Sequence, residues 1–171
     1  FLVLEHVHGF KQHAAAVGVG RDRGEDAVVD HAQPVVGAES GPASVGIDAL
    51  EACARGDSRA AARFLYLLPN FQNPTGRMLG DARRVALIGV AQRAGLPLVE
   101  DNPYGELWFD QQPPLPLTAR NPDGCVYHGS FSKVLAPGLR LGFLVAPKAL
   151  YPKLLQAKQA ADLHTPSFNQ R

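Results

Sequence analysis

The feature that most restricts the fold is a strand–loop–helix–strand pattern in the middle of the chain. Residues 62–68 form an apolar run with aromatic side chains, interrupted only by Arg63, which is typical of a strand buried on both faces. Pro69 ends this run and begins a loop rich in proline and asparagine. A helix is then predicted from Asp81, which we expect to cap it, to Gly95, and a second strand over 96–99. This pattern predicts a βαβ unit with parallel strands.

The alternation of strands and helices continues toward the C-terminus. Residues 125–127 and Leu141–Val145 are short apolar runs that we expect to form strands, and a helix is predicted from Pro147 to about Asp162. Before the βαβ unit, the pattern predicts a helix over 47–54 and strands around 1–4 and 28–29. The expected architecture is a three-layer α/β/α fold with a mostly parallel sheet.

The composition excludes several classes of protein. The 171 residues are 46% hydrophobic and 19% charged, which fits a single globular domain and not a disordered chain. The net charge is only +1, so the chain has no excess of positive charge to attract polyanions. Neither nucleic acid nor membrane is therefore an expected partner of this segment. Cys53 and Cys125 match no metal or redox spacing. We therefore expect buried free thiols and a cytoplasmic location.

Polar residues occur where three of the predicted strands end. The carboxyl ends of parallel strands lie along one edge of a sheet, so these side chains can converge on one ligand. The acidic pair Glu100 and Asp101 is costly to bury unless it faces a site or a cation. The candidate residues, in chain order, are Asn73, Asp101, Tyr104, Ser130, Ser132, Lys133 and Arg140.

The chemistry of these residues suits pyridoxal phosphate. Two small hydroxyl groups and an arginine suit a phosphate, and here these would be Ser130, Ser132 and Arg140. A lysine beside a phosphate site favours a phosphorylated aldehyde held as a Schiff base, which assigns Lys133 to that role.

The remaining candidates would contact the ring of the same cofactor. Asp101 would keep the pyridine nitrogen protonated, which makes the ring an electron sink. Asn73 and Tyr104 would hydrogen-bond the ring oxygen. No metal site is predicted, because His6, His8 and His13 lack a further ligand at suitable spacing.

Two other motifs offer competing interpretations. Ser130-x-x-Lys133 also fits the nucleophile motif of penicillin-recognising enzymes, but the Ser-Asp-Asn and Lys-Thr-Gly motifs that accompany it are not present in the chain. Residues 18–24 resemble a dinucleotide-binding loop, but the third glycine is one position late and no apolar strand precedes it. We reject both.

The longer strings around the candidate residues resemble a known family. They are Pro-Asn-Phe-Gln-Asn-Pro-Thr-Gly at 69–76, Glu-Asp-Asn-Pro-Tyr-Gly-Glu-Leu at 100–107 and Gly-Ser-Phe-Ser-Lys-Val-Leu-Ala-Pro-Gly-Leu-Arg-Leu-Gly at 129–142. They are similar to the class I/II aminotransferases, which are pyridoxal-phosphate enzymes of fold type I. Within that family they resemble the branch of 2-aminoadipate and aromatic aminotransferases and of the aminotransferase-like domains of MocR-type regulators.

The resemblance implies a function and a set of roles. The expected reaction is transamination between an amino acid and a 2-oxo acid, with Lys133 as the catalytic general base. Asn73 would contact both the cofactor and the substrate carboxylate. The full-length protein would be a homodimer. The alternative is a regulator domain that binds the same cofactor to control DNA binding.

The sequence also departs from the family. The upstream Gly/Ser/Gln phosphate loop, the aromatic residue that stacks on the ring and a Pro-Thr-Tyr-like turn are not recognisable. The resemblance also implies a C-terminal small domain with a substrate-binding arginine, and we expect that domain to be missing from this chain. Because the chain also begins with Phe1, we expect a fragment in which 46–171 form part of the large, cofactor-binding domain. Residues 1–45 would be divergent or out of frame.

Overall fold

A mixed five-stranded sheet organises the part of the chain that the computed structural model describes, which is residues 2–5, 64–73 and 76–171. The strand order is β1-β5-β4-β3-β2. The strands are β1 (Leu2–Glu5), β2 (Leu65–Leu67), β3 (Leu98–Asp101), β4 (Cys125–Ser130) and β5 (Leu141–Val145).

Four of these strands point in the same direction. The β2–β3 and β3–β4 pairs are parallel, whereas β5 is antiparallel to both β4 and β1. The predicted α/β class with a mostly parallel sheet is therefore confirmed. The strand predicted at 1–4 is also confirmed, shifted by one residue. The predicted helix over 47–54, the strand around 28–29 and Cys53 lie outside the described residues.

The helices connect and cover these strands. They are α1 (Asp81–Arg93), α2 (Leu117–Arg120), α3 (Phe131–Val134) and α4 (Tyr151–Asp162), with 3₁₀ turns at Pro137–Leu139 and Ser167–Gln170. Helix α1 makes the crossover between β2 and β3, as the sequence predicts. None of the described helices is long and apolar enough to cross a membrane.

Two predicted helix starts are wrong. Gly80 is the residue that precedes α1, and Asp81 is its first helical residue, so the Asp81 side chain does not cap the helix. Its negative charge still favours the helix N-terminus. Helix α4 begins at Tyr151 and not at Pro147, whose carbonyl oxygen accepts hydrogen bonds from the backbone of Leu150 and Tyr151 in a preceding turn. The stop at Gly95 is confirmed, because Gly95 takes the left-handed conformation (φ 61°) just after α1.

Helix α1 packs against the sheet to form the core. The buried apolar residues come from β2, α1, β3, α2 and β4, and they are Leu65, Leu67, Leu87, Ile88, Val90, Ala91, Leu98, Leu117 and Cys125. Each fully buried leucine stabilises the fold by about 1.5–3 kcal/mol. Cys125 is a buried free thiol, as predicted, and burial raises its pKa to about 12. This core fixes the positions of β3 and β4, which end at the candidate site.

Candidate active site

The predicted site residues lie at one edge of the sheet, which we call the carboxyl edge because β2, β3 and β4 end there. Asp101 and Ser130 are the last residues of β3 and β4. Arg140 directly precedes β5, and Ser130 pairs with Gly142 near the start of that antiparallel strand. Antiparallel pairing therefore brings Arg140 to the same edge. The other candidates follow the strands closely: Asn73 lies in the loop after β2, Tyr104 lies after β3, and Ser132 and Lys133 lie in α3.

Asp101 is held by both neighbouring strands. Its side chain is almost fully buried, and its Oδ1 lies 2.6 Å from Nδ1 of His128 on β4. Its Oδ2 accepts a hydrogen bond from the hydroxyl group of Tyr66 on β2. Burial, the negative charge of Asp101 and this hydrogen bond raise the pKa of Tyr66 well above its usual range. Tyr66 therefore stays protonated and remains a donor at neutral pH.

Sequence reasoning missed both partners of Asp101. Tyr66 lies within the apolar run, where the pattern indicates only a buried strand. His128 is a buried residue of β4, and its ring contacts the candidate carboxylate. The signal that could have found it is the register of β3 and β4, in which Asp101 and His128 are direct partners.

The turn after β4 is fixed locally by a cap and by aromatic packing. Ser130 Oγ accepts a hydrogen bond from the backbone N–H of Ser132 at 3.2 Å, which caps α3. The ring of Phe143 packs against Phe131, with centroids 5.6 Å apart, and leaves no space beside Gly129. A Cβ at Gly129 would overlap the ring of Phe143, so the position requires glycine. The side chain of Lys133 is exposed at this turn.

Two residues near the candidate positions have left-handed backbone conformations. Arg140 has φ 54°, and its Nη1 donates to the carbonyl oxygen of Pro137 at 3.3 Å. Phe71, in the loop that carries Asn73, has φ 47°. Such conformations cost a non-glycine residue about 1–3 kcal/mol, and they are concentrated at functional sites.

A buried arginine, Arg84, forms hydrogen bonds with the loop that carries Asn73. Arg84 of α1 is fully buried, and its Nη2 donates to Asn70 Oδ1 at 2.5 Å. Its donors also reach three backbone carbonyl groups, those of Pro69, Leu79 and Leu115. The arginine therefore ties α1 to the segment that follows β2.

The same network continues to the turn that carries Tyr104. Asn70 Nδ2 donates to Asn102 Oδ1 at 2.9 Å, and Asn102 Nδ2 donates to Tyr127 Oη at 3.0 Å. A Cβ at Gly105 would overlap the Asn102 amide, so glycine leaves room for that side chain. The ends of β2, β3 and β4 are thus joined by side-chain hydrogen bonds as well as by the sheet.

Comparison with known proteins identifies the family. The family model for aminotransferase class I and II matches residues 34–168. The chain belongs to the class I and II aminotransferases. It is 48% identical over 136 residues to a 2-aminoadipate transaminase of Thermus thermophilus, which covers 77% of this chain and 33% of that protein. It is also 38% identical over 109 residues to YisV of Bacillus subtilis, an uncharacterized HTH-type transcriptional regulator, covering 63% of this chain and 22% of that one.

Solved aminotransferase structures share the fold. LysN, an α-aminoadipate aminotransferase of T. thermophilus, matches with a TM-score of 0.65 and 47% identity over 73% of this chain and 32% of LysN. That structure is a complex with N-(5'-phosphopyridoxyl)-L-leucine. The kynurenine aminotransferase of Pyrococcus horikoshii matches with a TM-score of 0.65 and 35% identity over 72% of this chain and 30% of its own. The chain thus spans about a third of these aminotransferases or less.

Membership of the aminotransferase family confirms the resemblance found in the sequence, the fold class and pyridoxal phosphate as the family cofactor. The structure fits that cofactor in one respect that is independent of the family. A buried carboxylate, Asp101, ends a strand with a donor on each oxygen, at the same edge as Lys133 and two serine hydroxyls. An acceptor of this kind suits the N–H of a protonated pyridine ring.

Proposed function

We propose that the protein containing this chain transfers an amino group between an amino acid and a 2-oxo acid, with pyridoxal phosphate as its cofactor. The observation that carries the proposal is the Asp101 carboxylate, buried at the carboxyl edge and hydrogen-bonded by Tyr66 and His128 beside the turn that bears Lys133. The similarity to named aminotransferases supports the same reaction.

Each candidate residue has a role in holding the cofactor. When bound, pyridoxal phosphate withdraws electrons from the substrate Cα and so makes its proton acidic. Lys133 would attach the cofactor covalently, and Asp101 would accept the hydrogen bond of its ring nitrogen. The ring oxygen would be contacted by Asn73 and Tyr104, and the phosphate would be held by Ser130, Ser132 and Arg140.

Two residues would act on the substrate. Lys133, once its amine is free, would serve as the general base that removes the proton from the substrate Cα and delivers it to the C4′ carbon of the cofactor. Its exposed side chain on α3 leaves the amine accessible. Asn73 is exposed in the loop after β2, where its amide would bind the substrate carboxylate.

The test compares two lysine variants of the whole protein that carries this chain. Amino transfer is measured from a panel of amino acids to 2-oxoglutarate. Lys133→Ala is expected to lower the rate by roughly 10²–10⁴-fold, the usual contribution of a general base. Lys148→Ala, an exposed lysine after β5, is expected to keep the wild-type rate. Full activity in Lys133→Ala would refute the proposal.

A second candidate function is a pyridoxal-phosphate-binding domain of a transcription regulator. Three HTH-type regulators are 38–41% identical to this chain, which is close to the 42% of an aromatic-amino-acid aminotransferase of Thermococcus litoralis. The enzyme is favoured because the 2-aminoadipate transaminase shows higher identity over a longer stretch. A winged-helix domain encoded upstream, together with no amino transfer, would favour the regulator.

We also propose the substrate class, the assembly and the location. The names of the relatives include 2-aminoadipate, kynurenine and aromatic amino acids, so we propose long or aromatic amino acids as donors. The proposed assembly is a homodimer, as the family resemblance implies, which sedimentation of the whole protein would test. The proposed location is the cytoplasm, which follows from the expected free thiols.

A further inference from the structure

Tyr66 and His128 are the two residues that hold Asp101, and the role assigned to them below rests on the proposed function. They come from β2 and β4, the strands on either side of β3. Each binds a different oxygen of the carboxylate: Tyr66 donates to Oδ2, and His128 Nδ1 lies 2.6 Å from Oδ1. The carboxylate therefore cannot rotate without breaking at least one hydrogen bond.

With these two partners, Asp101 can still accept a further hydrogen bond. A carboxylate has about four acceptor positions, two on each oxygen, so a single donor on each oxygen leaves others available. The side chain of Asp101 is only 3% exposed, so little water can replace a lost partner. Burial also keeps Tyr66 protonated, as its raised pKa indicates. The carboxylate is therefore held as an acceptor in one orientation.

Such an acceptor distinguishes a cofactor ring with a protonated nitrogen from a ring with carbon at the same position. It favours a ring atom that carries an N–H and gives no hydrogen bond to a ring atom that carries only C–H. We infer that Tyr66 and His128 are positioning residues that, through Asp101, make the site select a cofactor with a protonated ring nitrogen. Neither residue needs to contact the cofactor for this effect.

Conservative variants separate this role from a general effect on folding. Tyr66→Phe removes only the hydroxyl group that donates to Asp101. His128→Leu removes the ring donor, whereas His128→Asn places an amide N–H near the position of Nδ1. The matched control is Tyr127→Phe, which also removes one phenol from the sheet but breaks a bond to Asn102 and not to Asp101.

The experiment measures binding of two cofactors to the whole protein after its own cofactor has been removed. One is pyridoxal phosphate, and the other is 1-deazapyridoxal phosphate, in which carbon replaces the ring nitrogen. Dissociation constants are obtained by titrating the change in absorbance. Each of Tyr66→Phe and His128→Leu removes a hydrogen bond that orients the charged Asp101 carboxylate. Because hydrogen bonds to charged groups are strong, each variant is expected to weaken binding of pyridoxal phosphate by roughly tenfold or more. The same variants are expected to change binding of the deaza analogue by less than about twofold, because the analogue has no N–H for Asp101 to accept.

The two controls complete the result. His128→Asn is expected to restore most of the preference for pyridoxal phosphate, and Tyr127→Phe is expected to keep the wild-type ratio of the two constants. If Tyr66→Phe and His128→Leu leave the ratio of the two dissociation constants unchanged, the inference is overturned and the proposed function remains intact. Failure of the wild-type protein to bind pyridoxal phosphate would overturn the proposed function and, with it, the inference.

Discussion

Glu100 and Asp101 are consecutive carboxylates at the end of β3, both buried, and their surroundings differ. Successive residues of a strand point to opposite faces of a sheet. Glu100 forms an ion pair with Arg84, with 3.9 Å between Oε1 and Nη1. Its Oε2 accepts a hydrogen bond from the backbone N–H of Thr118 at 3.1 Å. Asp101 has a side-chain donor on each oxygen and lies at the carboxyl edge.

The difference shows what separates a structural carboxylate from a candidate functional one. Burial raises the pKa of Glu100 and lowers the pKa of Arg84, so removal from water dominates the electrostatics on that face. Oε1 of Glu100 makes no hydrogen bond to any described residue. Glu100 serves the fold through Arg84, whereas Asp101 lies beside the other candidate site residues.

The largest expected effect on stability comes from breaking the pair on the Glu100 face. Arg84→Met leaves a buried carboxylate without its cation, which costs about 3–5 kcal/mol of unfolding free energy. Chemical denaturation measures the loss. The control is Arg120→Met, which breaks the partly exposed pair with Asp81 and is expected to cost at most about 1 kcal/mol. If both variants lost the same unfolding free energy, the ion pair of Arg84 with Glu100 would not be the more stabilising of the two.

The matching variant on the other face is Asp101→Asn, which is expected to affect function more than stability. Loss of a preorganised charge at a reacting group lowers rates by roughly 10²–10³-fold. The unfolding free energy should fall by about 1–3 kcal/mol, because the amide oxygen keeps one of the two hydrogen bonds while the other partner faces the amide NH2 group. Amino-transfer kinetics and denaturation of the same sample check both. A large loss of stability with normal activity would reverse the roles of the two carboxylates.

A smaller effect is expected from Gly129, which lies near the end of β4. Gly129→Ala would place a methyl group against the ring of Phe143 and cost about 1–3 kcal/mol of unfolding free energy. Gly138→Ala is the control, because a Cβ at that position meets no atom within 4 Å. If Gly129→Ala were as stable as Gly138→Ala, the packing described for this turn would be wrong.

The smallest effect is the contribution of Glu100 to the pH dependence of stability. Its folded-state pKa is raised by burial, so the folded state holds the proton more tightly than the unfolded state. The contribution of Glu100 to stability is therefore full below the ordinary glutamate pKa of about 4.3 and is lost as pH rises through the folded-state pKa. The stability of wild type minus that of Glu100→Gln should fall with rising pH over this window. A difference that rises with pH would contradict the assignment.

The sequence predicted the strands, and the placement of the candidate residues near the strand ends, better than it predicted the partners of those residues. Strand β5 has the predicted bounds, because its apolar run has clear ends. The antiparallel direction of β5 was not foreseen, although ten residues between Ser130 and Leu141 are fewer than a parallel crossover normally needs. Strand β4 runs three residues beyond the predicted end, since its polar residues still pair with β5.

The buried polar contacts could not be predicted from the local pattern. Arg84 lies on a helix where a charged residue is expected to face water, and its burial depends on Asn70, Glu100 and Leu115, which come from three other segments. The contact between His128 and Asp101 depends on the register of two strands that are far apart in the sequence. Such contacts require tertiary structure, whereas the candidate residues could be found because they follow the strands in the sequence.

The measurement that tests the central claim most directly is the identity of the lysine that binds the cofactor. The whole protein is incubated with pyridoxal phosphate, reduced with borohydride, digested and mapped by mass spectrometry. The chain offers four other lysines as internal controls: Lys11, Lys148, Lys153 and Lys158. We predict that the label is on Lys133 and is lost in Lys133→Ala. Labelling spread over the other lysines, or none at all, would contradict the assignment of the carboxyl edge as the cofactor site.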